Sequence, residues 1–241
     1  MLDEIGIEGQ EKILAGRALV IGAGGLGCPA SLYLASAGVG RICIADDDTV
    51  DATNLQRQIL HRTDSVGSLK VLSAQQSLLA INPEVVVVPL EKRMNDDLLQ
   101  EEVEHSDVVL DCCDNFATRH AVNRACVYHK KPLVSGAAIR FDAQISVFDL
   151  RQTGAPCYNC LFPEEGEAED VRCAEMGVFA PITGIIGAMQ AAEGLKLLAN
   201  TGESLQCRLL LLDARAMRWR DIDFDIDQQC KVCGNKSAVV S

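Results

Sequence analysis

The run Leu19-Val20-Ile21-Gly22-Ala23-Gly24-Gly25-Leu26-Gly27-Cys28 carries an apolar strand into a glycine turn and on toward a helix. That order lets backbone N–H groups at a helix N-terminus approach phosphate. The acidic run Asp46-Asp47-Asp48 follows at the distance where a carboxylate can accept hydrogen bonds from ribose hydroxyls. The glycine pattern alone is common to many nucleotide sites. Asn54-Leu55-Gln56-Arg57-Gln58 comes next, and Lys70 opens a helical segment after Gly67. A dinucleotide gains little from a guanidinium there, whereas a nucleoside triphosphate needs cations on its β and γ groups. Arg57 and Lys70 are spaced to supply them; the bland alternatives are a surface ion pair for Arg57 and a solvated helix residue for Lys70. Further on, an apolar strand exits into Asp111-Cys112-Cys113-Asp114-Asn115. Asp114 can there hold magnesium, which takes one or two carboxylates plus substrate phosphate oxygens, or it can cap the helix beginning near Asn115.

Two cysteine pairs, Cys157-Tyr158-Asn159-Cys160 and Cys230-Lys231-Val232-Cys233, form the strongest metal signal. Each pair can grip one ion from a tight turn, and four thiolates close a tetrahedron with no position left for water. The expected role is a structural zinc that ties the chain end to its middle. The alternative is that one pair is a redox motif or that the pairs never meet, since the segment between them is far longer than in a zinc ribbon. Gly154-Ala155-Pro156 before one pair and Gly234-Asn235 after the other place both in turns.

Composition bounds these readings. A chain of 241 residues can bury one large core with at most a small appendage. The net charge of −12 leaves no basic stripe for counterion release, so a nucleic-acid backbone is not the expected partner. Met1-Leu2-Asp3-Glu4 lacks the layout of a signal peptide. The apolar stretch after Pro181 is broken by Thr183, Gln190, Glu193 and Lys196 before it could span a bilayer. The expectation is a cytoplasmic protein with no membrane partner. Its eleven cysteines then read as metal ligands or small core residues rather than a disulfide framework. The four histidines, His61, His105, His120 and His129, share no motif and read as ordinary surface or helix residues.

The elements that must position these groups alternate. Strands at 18–22, 41–45, 84–89, 107–111 and 132–136 are separated by helices at 25–37, 67–80, near 95–104 and at 115–129, with a short helix near 54–60. This pattern predicts a Rossmann-like α/β fold, a mostly parallel sheet with helices on both faces, and ligands at the carboxyl ends of the strands. Beyond Arg140 the strands Gln144–Leu150, Cys207–Asp213 and Met217–Ile222 lack such helices and predict antiparallel additions to the sheet edge. One apolar helix is expected near 182–199.

Taken together, these residues resemble the MoeB/ThiF-type (HesA/MoeB/ThiF) sulfur-carrier-protein adenylyltransferases, bacterial relatives of ubiquitin-activating enzymes, over nearly the whole chain. The carrying motifs are GAGGLG at 22–27, DDD at 46–48, NLQRQ at 54–58, Lys70, DCCDN at 111–115, LVSGAAIRFDAQISVF at 133–148 and both cysteine pairs. The resemblance implies ATP with magnesium and adenylation of the C-terminal glycine carboxylate of a small ubiquitin-fold sulfur carrier ending in Gly-Gly. The glycine turn (Gly22, Gly24, Gly25 and Gly27) and Asp46 would bind nucleotide, the latter at the ribose. Arg57 and Lys70 would bind the phosphates and Asp114 magnesium, with Asn54 and Gln58 lining the site. Cys157, Cys160, Cys230 and Cys233 would hold zinc. It further implies a homodimer and a single adenylating domain, nucleotide-binding over about 1–140 and carrier- and zinc-binding over about 141–241. Family members carry an arginine segment resembling Arg-Tyr-x-Arg-Gln ahead of the stretch matching Leu2–Gln10, reaching the partner subunit's phosphates; this sequence starts after it.

Cys173, just past the acidic run Glu164-Glu165-Gly166-Glu167-Ala168-Glu169-Asp170, matches a place where a cysteine of ThiF-type members can take the carrier's acyl group or form a persulfide link, while MoeB-type members keep a cysteine there without a settled need for it. Arg172 favours its thiolate and Glu175 with the acidic run opposes it. The run itself reads as a solvated segment or as a crossover over the carrier tail. Gly184, Gly187, Ala188, Ala191 and Ala192 allow close packing of another backbone, either a second copy's or this chain's own. Two rival functions follow from parts of the pattern. The glycine turn with Asp46 alone suggests an NAD-linked oxidoreductase, and the late start suggests a catalytically silent scaffold half of a heterodimeric activating complex.

Overall fold

The computed structural model describes residues 2–92, 94–164 and 177–234. Its strands are β1 (Arg17–Ile21), β2 (Arg41–Ala45), β3 (Val86–Leu90), β4 (Val108–Asp111), β5 (Pro132–Ile139), β6 (Asp142–Asp149), β7 (Arg208–Asp213) and β8 (Arg218–Asp223). The helices are α1 (Gly6–Ala15), α2 (Gly27–Ser36), α3 (Lys70–Ile81), α4 (Asp96–Glu104), α5 (Phe116–His129), α6 (Tyr158–Leu161) and α7 (Ala180–Ala199). One sheet of eight strands runs in the order β3-β2-β1-β4-β5-β6-β7-β8. The first five are mutually parallel and the last three are added antiparallel.

Burial on both faces explains why the parallel strands are apolar throughout. Along β1, Ala18 and Val20 point into one core with α1, α2, α3 and α7, while Leu19 and Ile21 point into another with α4 and α5. Ile42 and Ile44 against Cys43 and Ala45 repeat the split on β2. The β1-to-β4 switch leaves a crevice at the carboxyl ends of these strands, where an open α/β sheet binds ligands.

Three differences from the sequence reading have local causes. Helix α1 was not expected, because one buried core side chain, Ile13, carries it beside Gly9, too thin an apolar stripe to show in sequence. The segment near 54–60 is a 3-10 turn over Ala52–Asn54 whose start is capped by Asp51, which accepts from the Thr53 N–H at 2.8 Å. Strand β5 extends past 136 to Ile139 because the hairpin with β6 pairs it along its whole length, from Pro132 opposite Asp149 to Ile139 opposite Asp142.

Helix α7 is apolar nearly all round because it lies inside the molecule. Gly187 packs directly on Leu26 and Pro29 at the start of α2, Gly194 lies against Leu34 and Leu110, and Ala191 is fully buried. For Gly187 and Gly194 the close neighbour is this chain's own α2 and sheet. Most of the acidic run, and Cys173, lie outside the described residues; Glu164 pairs with Arg124 at 2.9 Å.

Candidate active site

A cleft of about 500 Å³ opens at the carboxyl ends of β1, β2 and β4. Gly22, Gly24, Gly25, Asp46, Arg57, Gln58, Lys70 and Asp114, all named from sequence, line it. Gly22 makes the turn with φ +101°, and a Cβ there would sit 2.8 Å from the Cys112 carbonyl oxygen. Gly27 does not line the cleft. A Cβ on Gly27 would fall 1.8 Å from the Gly22 carbonyl oxygen, so its part is to let α2 close on the turn. No side chain caps α2; in its first turn the Cys28 N–H donates to the Gly24 carbonyl at 3.0 Å and Pro29 carries no N–H.

Asp46 leaves β2 and grips the turn, its Oδ2 accepting from the Ala23 N–H at 2.7 Å and its Oδ1 from the Asp48 N–H at 2.9 Å. Burial raises its pKa, against the lowering pull of Lys70 and of these N–H groups. Lys70, the first residue of α3, is 5% exposed, with Nζ 2.7 Å from Asp48 Oδ2 and 3.9 Å from Asp46 Oδ1. It is a buried, paired cation rather than a solvated helix residue. Arg57 donates to Asn54 Oδ1 at 2.9 Å, so Asn54 sits behind it, outside the cleft lining, and acts on the cleft through it. Gln58 is 4% exposed, and its Oε1 has no hydrogen-bond partner among the described residues. A buried unpaired oxygen costs about 1–3 kcal/mol, which a bound ligand or water would relieve.

The two aspartates at the end of β4 have separate fates. Asp111 is 1% exposed and saturated: it pairs with Arg119 Nη1 at 2.9 Å and accepts from Ser135 Oγ at 2.7 Å and Cys113 N at 3.2 Å. Asp114 is exposed at the cleft wall. The capping alternative falls to its neighbour, because Asn115 Oδ1 accepts from the Thr118 N–H at 2.9 Å and starts α5. An exposed carboxylate beside a phosphate-sized cleft suits magnesium, which keeps waters and needs one or two protein oxygens.

A second groove of about 380 Å³ shares Asp114, Arg119 and Ala138 with the cleft and runs between β5, β6 and β7 past Ala137, Ile139 and Leu211. Its surface is mostly apolar, with Asp142, Asp213 and Arg220 also in the lining.

The cysteine pairs do meet. All four Sγ atoms lie within 4.8 Å of one another, Cys160 to Cys233 at 3.3 Å and Cys157 to Cys230 at 3.7 Å. A tetrahedron with metal–sulfur bonds of about 2.3 Å has edges of about 3.8 Å, so the donor set fits zinc. Asn123 donates to Cys157 Sγ at 3.5 Å and Asn159 to Cys230 Sγ at 3.4 Å. Hydrogen bonds from Cys157 and Cys233 hold the Cys160 thiol low, and its neighbours are in turn pushed up, Cys157 to about 12. Four thiolates brought this close require a cation.

Sequence reasoning missed several cleft residues. Lys92 and Met94 follow β3, and Thr183 comes from α7, 160 or so positions from the glycine turn its side chain touches. Arg119 could have been found as the one basic residue a helical turn after the β4 exit. His61 is a correction: it is 5% exposed and off any helix, with both ring nitrogens bonded. Cys207, expected as a core strand residue, is half-buried with φ +60° just before β7.

Comparison with known proteins agrees with this architecture. The chain is 44% identical over 227 residues to the molybdopterin-synthase adenylyltransferase of Salmonella typhimurium, covering 94% of this chain and 90% of that protein. It is 41% identical over 238 residues to the sulfur carrier protein ThiS adenylyltransferase of Escherichia coli, covering 99% and 94%. It is 43% identical over 235 residues to the SAMP-activating enzyme E1 of Haloferax volcanii, covering 97% and 86%. Escherichia coli MccB, solved with ATP, superposes with a TM-score of 0.81 over 95% of this chain and 69% of its own, at 24% identity, a likeness of fold alone. The ThiF family profile matches residues 1–232, and the chain belongs to the ThiF family.

Proposed function

We propose that this chain is an adenylyltransferase that uses ATP to activate the C-terminal glycine carboxylate of a ubiquitin-like sulfur-carrier protein, releasing pyrophosphate. The observation that carries the reading is the junction of two grooves at Asp114, Arg119 and Ala138, one polar with Arg57, Lys70 and carboxylates in its lining, the other mainly apolar. A triphosphate in the first and an extended Gly-Gly tail in the second would bring the tail's carboxylate to the α-phosphorus. The relatives named for molybdopterin synthase and for ThiS support a carrier of molybdopterin or thiamine-thiazole synthesis.

The chemistry is positioning and charge. The tail carboxylate is ionised near neutral pH, so no general base is needed. Its oxygen attacks the α-phosphorus in line, the bond to the bridging oxygen breaks, and the electron pair leaves with pyrophosphate. The Asp46 carboxylate would hold the ribose, the glycine-turn N–H groups would meet the phosphates, and Arg57 and Lys70 would neutralise the departing β and γ groups. Asp114 would hold magnesium, which supplies further neutralisation of the phosphates when bound. Cys157, Cys160, Cys230 and Cys233 would hold a structural zinc, and the carrier would dock chiefly on the part beyond residue 140. The working form is a homodimer in the cytoplasm; no described helix is long and apolar enough to cross a membrane.

Pyrophosphate exchange into ATP tests the reading. Exchange that requires magnesium and a carrier ending in Gly-Gly is expected, together with thermal stabilisation by ATP-magnesium and none by NAD. Stabilisation by NAD would restore the oxidoreductase reading, and an inert chain that binds a second subunit would restore the scaffold reading.

A further inference from the structure

His61 lies where three phosphate-facing segments converge. Its backbone N–H donates to the Gln58 carbonyl at 3.0 Å, closing the turn that presents Arg57 and Gln58. Its Nε2 is 2.9 Å from the Ala23 carbonyl oxygen inside the glycine turn. Its Nδ1 is 3.0 Å from Ser73 Oγ, one helical turn after Lys70 on α3. A carbonyl oxygen can only accept, so Nε2 carries the proton and Nδ1 accepts from the Ser73 hydroxyl. The two peptide groups flanking Ala23 are both held: Asp46 takes the N–H of the Gly22–Ala23 peptide at 2.7 Å, while His61 and the Cys28 thiol, 3.3 Å away, both donate to the carbonyl of the Ala23–Gly24 peptide. The orientation of that peptide sets the aim of the N–H groups that follow it in the turn.

We propose that His61 is a positioning residue for adenylation, a buried strut that fixes the glycine turn at its working distance from the helix carrying Lys70. The inference rests on the reading of the cleft as an ATP site. The ring does not line that cleft, so it touches neither nucleotide nor carrier and acts only through Ala23, Gln58 and Ser73. Ser73 is itself buried, with Ser65 Oγ 3.1 Å away as a second acceptor for the same hydroxyl proton. The neighbouring Cys28 thiol is pushed up to about 12 by burial, so it stays a neutral donor and leaves the carbonyl to two hydrogen bonds.

His61→Phe keeps an aromatic ring, somewhat larger, and removes both ring hydrogen bonds. His61→Gln can return an amide N–H to the Ala23 carbonyl, and Ser73→Ala removes the other end of the strut. Val122→Ala, in the buried face of α5, serves as a core-destabilised reference. Exchange kinetics per folded molecule, melting temperature and calorimetric ATP binding are measured for each. We expect His61→Phe to lose about 10²-fold in kcat, the scale for a misplacement of about 1 Å, with a smaller loss of ATP affinity. His61→Gln should regain most of the loss, Ser73→Ala should show part of it, and Val122→Ala should melt lower with kcat unchanged. Wild-type kcat and affinity in His61→Phe, or His61→Gln no better than His61→Phe, would overturn the role. A wild-type chain without exchange would count against the adenylation reading alone. The strut would then be judged on ATP affinity, upheld by a loss in His61→Phe that Val122→Ala lacks and overturned by equal affinities.

Discussion

The nucleotide cleft and the cysteine cluster share one sheet and obey opposite rules. In the cleft, polar groups are held ready and left incompletely paired: Gln58 Oε1 has no partner among the described residues, Asp114 is exposed, and burial raises the pKa of Asp46. In the cluster, the four sulfurs converge, two of them take an asparagine N–H, and Tyr158 beside them is 1% exposed. Incomplete pairing costs stability and marks a place where a ligand completes the structure. A closed shell around converging thiols marks a place where the structure itself is completed. The two regions should therefore fail differently when altered.

The largest effect is expected at the cluster. Cys230→Ser should release zinc, read by elemental analysis, and lower the melting temperature sharply, since structural zinc supplies about 10 kcal/mol or more in small domains. The fraction that stays folded should still bind ATP. Unaltered melting with lost exchange would break the contrast and move chemistry onto these thiols.

Asp114→Ala should then cost roughly 10²–10³-fold in exchange with melting nearly unchanged, as removal of an exposed charge-stabilising ligand does. Asp111→Asn, three residues earlier, should do the reverse, destabilising by about 3–5 kcal/mol because Arg119 is left as an uncompensated buried charge. If both variants melted alike, the separation of the two aspartates would be wrong.

Arg57→Ala and Lys70→Ala should each lower kcat about 10²-fold, more than they weaken ATP binding. Unchanged turnover for both at saturating ATP would remove the triphosphate from the cleft.

The smallest effect is on pH dependence. Burial lowers the His61 pKa, aided by Lys70 and opposed by the Ala23 carbonyl and Asp46. The folded state thus resists a proton that the unfolded chain accepts below about 6.5, and stability falls as pH drops from there toward the lowered value. Asp46 has the opposite sign: its ionised form costs stability at neutral pH, and that cost is relieved as pH falls through its raised pKa toward the ordinary carboxylate value. Melting curves between these ranges should lose the His61 component in His61→Gln; an unchanged pH slope would show that another group carries it.

The difference between the regions also explains what the sequence could show. Glycines, charges and paired cysteines sit at strand ends and turns, where residue type is dictated by one local job, and all of Gly22, Asp46, Lys70, Asp114 and the four thiols came together in space as spacing suggested. The alternation of β1 to β5 was legible because both faces are buried. Hidden from sequence were residues whose job depends on distant chain: Thr183 beside Gly25, His61 between Ala23 and Ser73, and the choice of Asp111 over Asp114 as partner of Arg119. Local pattern also could not show that Gly27 serves packing, since only the fold brings the Gly22 carbonyl onto it.

The cysteine pairs join positions 73 residues apart, and α7, β7 and β8 all lie between them. With its metal in place this part of the chain is a closed ring, and closing a loop of that size costs roughly 4 kcal/mol of configurational freedom, which the metal bonds offset as the fold brings the thiols together. A single backbone cut anywhere between Leu161 and the start of β7 would open the ring, yet the two fragments would stay joined through the metal as well as through the β6–β7 ladder.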